Sequence, residues 1–186
     1  MEVMIMNGTV TTLTARNADF AQHTFAPGAS MMPALKTIVI GCADPRVDPA
    51  HVLGLANGDA LVIRNIGGRF TPETLQTMAT LREIAQAEGG APGPGWNLIL
   101  LQHTDCGITR LGGHPELLTG MFGIEEADLP AQAVSDPRAA VAVDVAAIKD
   151  NPFLPADFVV SGLVYDVRTG LIETVAAPSL RASAAA

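Results

Sequence analysis

Two cysteines and one histidine stand where the sequence predicts the ends of two buried strands. Cys42 follows the apolar run "KTIVIG", and His103 and Cys106 follow or end the run "NLILLQH". Two thiolates and one imidazole are ligands that zinc accepts, and three protein ligands leave its fourth position open for water, as in catalytic sites. A lone H-x-x-C spacing is common by chance, and a buried cysteine is as often a small apolar residue as a ligand. The pattern therefore predicts a zinc site only if the two segments meet in space.

The elements predicted around these residues would bring them together. "KTIVIGC", "ALVIRN" and "NLILLQH" are rich in β-branched and aliphatic residues, which predicts strands buried on both faces of a parallel sheet. A short helix in "DPAHVLGLANGD" and a longer one in "TPETLQTMATLREIAQAEGG" complete two βαβ units with right-handed crossovers. Ligands of open parallel sheets collect at the carboxyl ends of the strands, which is where Cys42 and His103 fall.

The second half of the chain continues the same architecture. "SDPRAAVAVDVAAIKDNP" predicts a helix with Val141, Val145 and Ile148 on one face, and "DFVVSGLVYDV" and "GLIETVAA" predict a strand and its hairpin partner. Residues 111–135 have no clean period, and their fold stays open. We expect a single α/β domain over residues 1–186, with a mostly parallel central sheet flanked by helices. Residues 1–30 would form an N-terminal arm or helix, and residues 177–186 a frayed tail.

Charge and composition restrict the partners of the protein. The formal net charge is −8 and no basic cluster interrupts it, so we expect neither nucleic acid nor an anionic membrane as a partner. The apolar runs are strand-sized, below the roughly 20 residues of a membrane span, and the start lacks a basic n-region. We therefore expect a cytoplasmic protein. Because only 16% of the residues are charged, we also expect apolar surface buried in a homodimer or higher homo-oligomer.

Three segments together, "CADPR", "VIRNIGG" and "HTDCG", resemble the β-class carbonic anhydrases, whose motifs are C-x-D-x-R and H-x-x-C-G. The similarity continues into "NPFLPADFVVSGLVYDVRTGLIETV" and is poor in residues 1–30 and 111–135. The resemblance implies that family's fold and one Zn²⁺ per chain, bound by Cys42, His103 and Cys106. It implies the hydration of CO2 to bicarbonate by a zinc-bound hydroxide, since zinc lowers the pKa of bound water towards neutrality.

The resemblance also implies catalytic roles for Asp44 and Arg46. Asp44 would orient the zinc-bound water, and Arg46 would hold Asp44 in a bidentate pair so that the carboxylate does not occupy the metal itself. Both the open and the closed arrangement are known in the family. One closed-state subgroup has a tryptophan where this chain has Val39, so we predict the open form at neutral pH. We attribute the common direction of the two side chains to strand alternation; an ordinary surface ion pair is the alternative.

Four more residues match family segments near the pocket and are predicted to line it: Arg64, Asn65, Gly67 and Gly107. Turn residues at a strand end are the alternative for this segment. Pro45 stands where the family more often has Ser or Ala, and it would either preorganise or misalign the Asp44–Arg46 pair. Asp105 would bond the ligand loop or face water.

Two other functions remain open on the sequence alone. "HTDCG" resembles a subgroup that includes carbonyl sulfide hydrolases, so the substrate would be COS instead of CO2. A zinc-binding or thiol-redox protein without catalysis is the second alternative. The Asp44–Arg46 pair argues against it, because a purely structural site has no use for an orienting carboxylate.

Overall fold

Five strands form one sheet in the computed structural model, which describes residues 8–25, 27–90 and 92–181. They are β1 (Thr37–Cys42), β2 (Ala60–Asn65), β3 (Asn97–His103), β4 (Val159–Tyr165) and β5 (Ile172–Leu180). Their order across the sheet is β2-β1-β3-β4-β5. Strands β2, β1, β3 and β4 run parallel to one another, and β5 pairs antiparallel with β4. The predicted α/β fold with a mostly parallel sheet is confirmed.

In the described part of the chain, five α-helices connect or flank the strands: α1 (Gly8–His23), α2 (Pro49–Val52), α3 (Pro72–Ala87), α4 (Pro115–Phe122) and α5 (Pro137–Asp150). Helix α3 begins as its sequence predicts, because the Thr71 side chain accepts a hydrogen bond from the backbone N–H of Thr74. Asp136 caps α5 in the same way through the N–H of Arg138. Both helices also have proline in the first turn, where no backbone hydrogen bond is lost.

The strand register places the two ligand segments side by side. Gly41 of β1 lies opposite Leu101 of the neighbouring strand β3, so that Cys42 and His103 end their strands at the same edge of the sheet. Cys42 pairs on its other side with Asn65, at the end of β2. This edge is the carboxyl edge at which the sequence predicts a site.

The main core lies between the sheet and helices α3 and α5. Val141, Val145 and Ile148 are buried in it, which confirms the predicted face of α5. The prediction that all three early strands are buried on both faces was wrong for β2. This strand is at the edge of the sheet and has one neighbour only, so its side chains are half-buried and Val62 is exposed.

The segment whose fold the sequence left open is helical in short pieces. A 3₁₀ helix over residues 107–113, helix α4 and a second 3₁₀ helix over residues 126–132 cover the end of the sheet beside Cys106. Their glycines and prolines break any longer period, which is why no pattern was visible.

The ends of the chain differ from one another. Residues 177–180 belong to strand β5, so the prediction of a frayed tail from residue 177 was wrong there, while residues 182–186 lie outside the described part. Arg181 is buried because its guanidinium donates to the carbonyls of Lys149 and Asn151 at the end of α5. Helix α1 lies within the predicted N-terminal arm. Within the described ranges, no helix combines the length and apolarity needed to cross a membrane.

Candidate metal centre

The side chains of Cys42, His103 and Cys106 converge at the carboxyl edge of the sheet. Their ligand atoms all lie within 4.8 Å of one another, and the two sulfurs are 3.7 Å apart. All three residues are buried. The structure thus unites the two segments, 64 positions apart in the chain, that the sequence left separate.

The orientation of His103 shows that the cluster fits a metal ion. Its Nδ1 donates a hydrogen bond to the carbonyl of Thr104 at 2.9 Å, which leaves the lone pair on Nε2. That Nε2 is buried and has no hydrogen-bond partner among the described residues. Buried polar atoms are rarely unpaired, because an unpaired atom has lost its water without compensation. A zinc ion held by Nε2 and the two sulfurs would satisfy it, and the donor set is one that zinc prefers.

The electrostatics of the cluster also favour a cation. The hydrogen bond with Cys106 lowers the pKa of Cys42 from 9.0 to about 4, although burial opposes the shift. The same interaction and burial both raise the pKa of Cys106. The hydrogen bond between the two sulfurs therefore stabilises one negative charge at the cluster. Burial lowers the pKa of His103, but its interactions with the Cys42 thiolate and the Thr104 carbonyl together outweigh burial and raise it.

Asp44 and Arg46 form a close ion pair beside the cluster. The Arg46 Nε donates to Asp44 Oδ1 at 3.0 Å, and Nη2 donates to Oδ2 at 2.8 Å. This hydrogen bonding lowers the pKa of Asp44 from 3.8 to about 2. Both carboxylate oxygens are thus bound by Arg46, and Asp44 is not one of the three residues that converge.

A turn, not strand alternation, aims these two side chains. Strand β1 ends at Cys42, and the backbone N–H of Val47 bonds to the carbonyl of Asp44 at 3.2 Å. The N–H of Arg46 donates to Asp44 Oδ1 at 2.9 Å, which fixes the carboxylate on its own turn. Pro45 occupies the second position of that turn, where its fixed φ is favourable. The explanation by strand geometry was therefore wrong, and Pro45 is compatible with the pair.

Arg64 is tied to the same turn. Its Nε donates to the carbonyl of Cys42 at 2.9 Å, its Nη2 to the carbonyl of Asp44 at 2.7 Å and its Nη1 to Asp48 at 2.8 Å. Arg64 thus clamps the backbone that bears Cys42 and Asp44. Its role in lining a substrate pocket stays a prediction.

The three other predicted pocket residues differ in their surroundings. Asn65 binds the backbone of Arg69 through both atoms of its amide and so closes the turn that follows β2. Gly67 is buried at a φ of 79°, and a Cβ there would lie 2.8 Å from a methyl group of Ile108. Gly107 is exposed and has open space around it. Their contact with a substrate stays a prediction, while the first two clearly shape the backbone beside Cys42.

Comparisons with known proteins agree with this geometry. The carbonic anhydrase family model matches residues 37–121, which contain all three ligands and the Asp44–Arg46 pair. A β-carbonic anhydrase of Mycobacterium bovis is 28% identical over 163 residues, covering 87% of this chain and 94% of that protein. The crystal structure of a carbonic anhydrase from Streptococcus mutans, 28% identical, covers 92% of this chain and 99% of that chain with a TM-score of 0.68. The chain is thus similar to β-carbonic anhydrases along most of its length.

The similarity to carbonic anhydrases supports an enzyme of lyase type that acts on a small molecule. One relative of this chain is named for a different substrate. A carbon disulfide hydrolase from an Acidianus strain is 26% identical over 160 residues, covering 70% of this chain and 72% of that protein.

A buried ion pair that was not predicted from the sequence lies behind the candidate metal site. Arg69 binds Asp144 through Nε at 2.7 Å and Nη2 at 3.1 Å, and Gln102, the residue before His103, donates to Asp144 at 2.9 Å. Arg69 also lies over the Phe122 ring. The signal was an aspartate on the apolar face of helix α5, four residues before Ile148. A buried charge needs a partner, so Asp144 alone predicts one, although not which.

Proposed function

We propose that the protein catalyses the reversible hydration of CO2 to bicarbonate and a proton, with one zinc ion per chain held by Cys42, His103 and Cys106. The observation that carries this proposal is the ion pair of Asp44 with Arg46, two to four residues after the first ligand. A structural zinc site takes four protein ligands, whereas here a carboxylate beside three converging ligands is held by an arginine.

The residues of the pair have distinct tasks. Zinc in this site would lower the pKa of a coordinated water and so supply a nucleophile for the carbon of CO2 at neutral pH. Asp44 is ionised at neutral pH. It would accept a hydrogen bond from that water and so direct the lone pair of the water oxygen at the carbon of CO2. Arg46 binds both oxygens of Asp44 and so opposes movement of the carboxylate onto the metal, which supports the open form.

The surroundings of the cysteines suit an uncharged substrate. Cys42 and Cys106 belong to a buried apolar cluster with Val47, Ile108 and Phe122. An apolar wall favours a neutral linear molecule such as CO2 over a hydrated anion, because an anion would lose its water there without compensation.

Hydrolysis of carbonyl sulfide or carbon disulfide is the second candidate. The relationship to a carbon disulfide hydrolase supports it, and the same apolar wall would accept sulfur. The reaction would again be attack of an activated water on the central carbon of a linear triatomic molecule. Zinc binding without catalysis is less well supported, because the Asp44–Arg46 pair would then be without a task.

The zinc-loaded protein, assayed in parallel with CO2, COS and CS2, tests both candidates. We expect the fastest turnover with CO2, and Asp44→Ala should lose most of it, at least about 100-fold, while zinc stays bound. Asp128→Asn, which removes an exposed carboxylate from the 126–132 helix, serves as control. Fast turnover of COS or CS2 with negligible CO2 hydration would establish the second candidate. Full activity in Asp44→Ala would remove Asp44 from the mechanism.

We also propose that the protein is a homodimer or higher homo-oligomer. Every described residue of the arm from 8 to 25 is exposed, including Val10, Leu13, Phe20 and Phe25. A helix of this length with no buried side chain is marginal in water unless another surface covers it. A cytoplasmic location stays a prediction.

A further inference from the structure

We propose that Asp105 is a positioning residue that holds Arg46 from the side opposite Asp44. Through Arg46, Asp105 would keep Asp44 from moving onto the metal. The inference rests on the proposed function, and it adds a residue to which neither C-x-D-x-R nor H-x-x-C-G assigns a role.

The contacts of the Arg46 guanidinium are divided between two carboxylates. One edge, Nε and Nη2, donates to Asp44. The other edge donates to Asp105, from Nη1 to Oδ2 at 2.9 Å and from Nη2 to the backbone carbonyl at 3.0 Å. Each of the three nitrogens therefore donates to an acceptor, and the planar group is held along both edges. A lysine could not make this arrangement, because its ammonium group has no planar fork.

The backbone position of Asp105 makes the contact possible. Asp105 lies between the ligands His103 and Cys106 and has a φ of 52°, in the left-handed region that few residues other than glycine adopt. This conformation presents its carbonyl and its carboxylate to Arg46 together. Arg110 donates to the other oxygen, Oδ1, at 3.0 Å, so that Oδ2 stays directed at Arg46. Arg46 thus connects the loop of two ligands with the turn that follows the third.

The exposure of the pair decides how much the contact can do. The Arg46 side chain is 45% exposed and that of Asp105 55%, and a single exposed ion pair contributes little to stability. Its effect on position is larger, since an arginine held at one edge only can rotate away together with the carboxylate that it binds. Without Asp105, we expect Asp44 to compete more often for the fourth position of the metal.

Azide binding to the cobalt-substituted protein measures that competition, because azide needs the position that Asp44 would take and its binding changes the visible spectrum of Co²⁺. We expect Asp105→Ala and Asp105→Gly to weaken azide binding by about three- to ten-fold, the scale of one solvent-exposed charge-assisted contact. Asp105→Gly removes the carboxylate without backbone strain, so equal effects exclude strain as the cause.

Two further variants make the test specific to Arg46. Asp105→Asn keeps an oxygen acceptor and tolerates the same backbone conformation. Its azide affinity should therefore stay within about two-fold of that of the wild type. Asp128→Asn removes one negative charge elsewhere and should leave the affinity unchanged. If the charge of Asp105 acted on azide directly, Asp105→Ala would instead bind azide more tightly, which would overturn the proposal.

A double-mutant cycle separates this inference from the proposed function. In Arg46→Ala, azide affinity and CO2 hydration should both fall, and adding Asp105→Ala should change azide affinity no further. An additional loss in the double variant, or unchanged affinity in Asp105→Ala and Asp105→Gly, would overturn the role of Asp105 alone. Wild-type hydration and azide affinity in Arg46→Ala would overturn the dyad itself.

Discussion

At the scale of single residues, the site depends on which side chains are charged at neutral pH. The hydrogen bond between the two sulfurs lowers the pKa of one thiol of the pair, and Arg46 holds the pKa of Asp44 at about 2. Asp44 therefore stays an acceptor throughout the range in which an enzyme works. An acid limb in the pH profile of activity should come from another group.

The same pKa predicts how the Asp44–Arg46 pair contributes to stability. Because the pKa of Asp44 is lower in the folded protein than its ordinary value of 3.8, the contribution is present above about pH 4 and is lost as the pH falls towards 2. Arg46 is half-exposed, so the contribution should be about 1 kcal/mol or less. Urea unfolding of the metal-free wild type and Asp44→Asn should show a difference that is constant above pH 5 and shrinks below pH 4. A difference that grows towards pH 2 would contradict the assignment.

At the scale of elements, the site depends on the turn that follows β2. The 3₁₀ turn Ile66–Gly68 lies against the ends of β1 and β3, and Arg69 anchors it to helix α5 through Asp144. Gly68 is its closest point of approach, at a φ of 62°. The backbone that carries Cys42 is thus supported from one side by Arg64 and from another by this turn.

A methyl group at Gly68 should therefore disturb the metal site from behind. A Cβ would lie 2.9 Å from the carbonyl oxygen of Leu101 and 3.0 Å from the backbone nitrogen of Cys42, neither of which can move alone. We expect Gly68→Ala to lower the free energy of unfolding by about 2 kcal/mol or more and to weaken zinc retention. Gly113→Ala, where no atom lies within 4 Å, should change it by less than about 0.5 kcal/mol. Urea unfolding and zinc content measure both effects, and equal stability of the two variants would contradict the close approach.

At the scale of the whole molecule, the described chain exposes apolar side chains that none of its own elements covers. The arm is exposed along its described length, and Val62 of edge strand β2 and Ile66 of the turn after it are exposed as well. Apolar surface of this kind is typical of a contact with another chain. We expect that chain to be a second copy.

A charge on the apolar face of α1 should disrupt that contact. Leu13 and Phe20 are seven residues apart and share a helix face, whereas Ala15 lies nearly opposite Leu13. Sedimentation at micromolar concentration should show an oligomer for the wild type and for Ala15→Asp, and a shift towards monomer for Leu13→Asp. A wild-type monomer would refute the oligomer, and an unchanged Leu13→Asp oligomer would place its interface elsewhere.

Local patterns in the sequence determined the strands, the well-capped helices and the ligand set. Burial of β1 and β3 shows in their unbroken apolar runs, and parallel pairing then brings Cys42 and His103 to one edge, because parallel strands point their carboxyl ends the same way. Cys106 follows His103 by three residues at the same strand end, and the family motifs added the roles of the Asp44–Arg46 pair. The edge position of β2 was not visible, since strand order depends on which strands pair and not on the composition of any one.

Only the tertiary structure decided the contacts between distant segments. Arg46 meets Asp105 across 59 positions and Arg69 meets Asp144 across 75, and neither pair has a spacing that a helix or strand period can reveal. The same holds for the turn that aims Asp44, because Arg64 binds its backbone from β2, 20 positions away in the chain. Periodicity reports which face of an element is buried; the partner on the other side of the contact is fixed only when the elements pack.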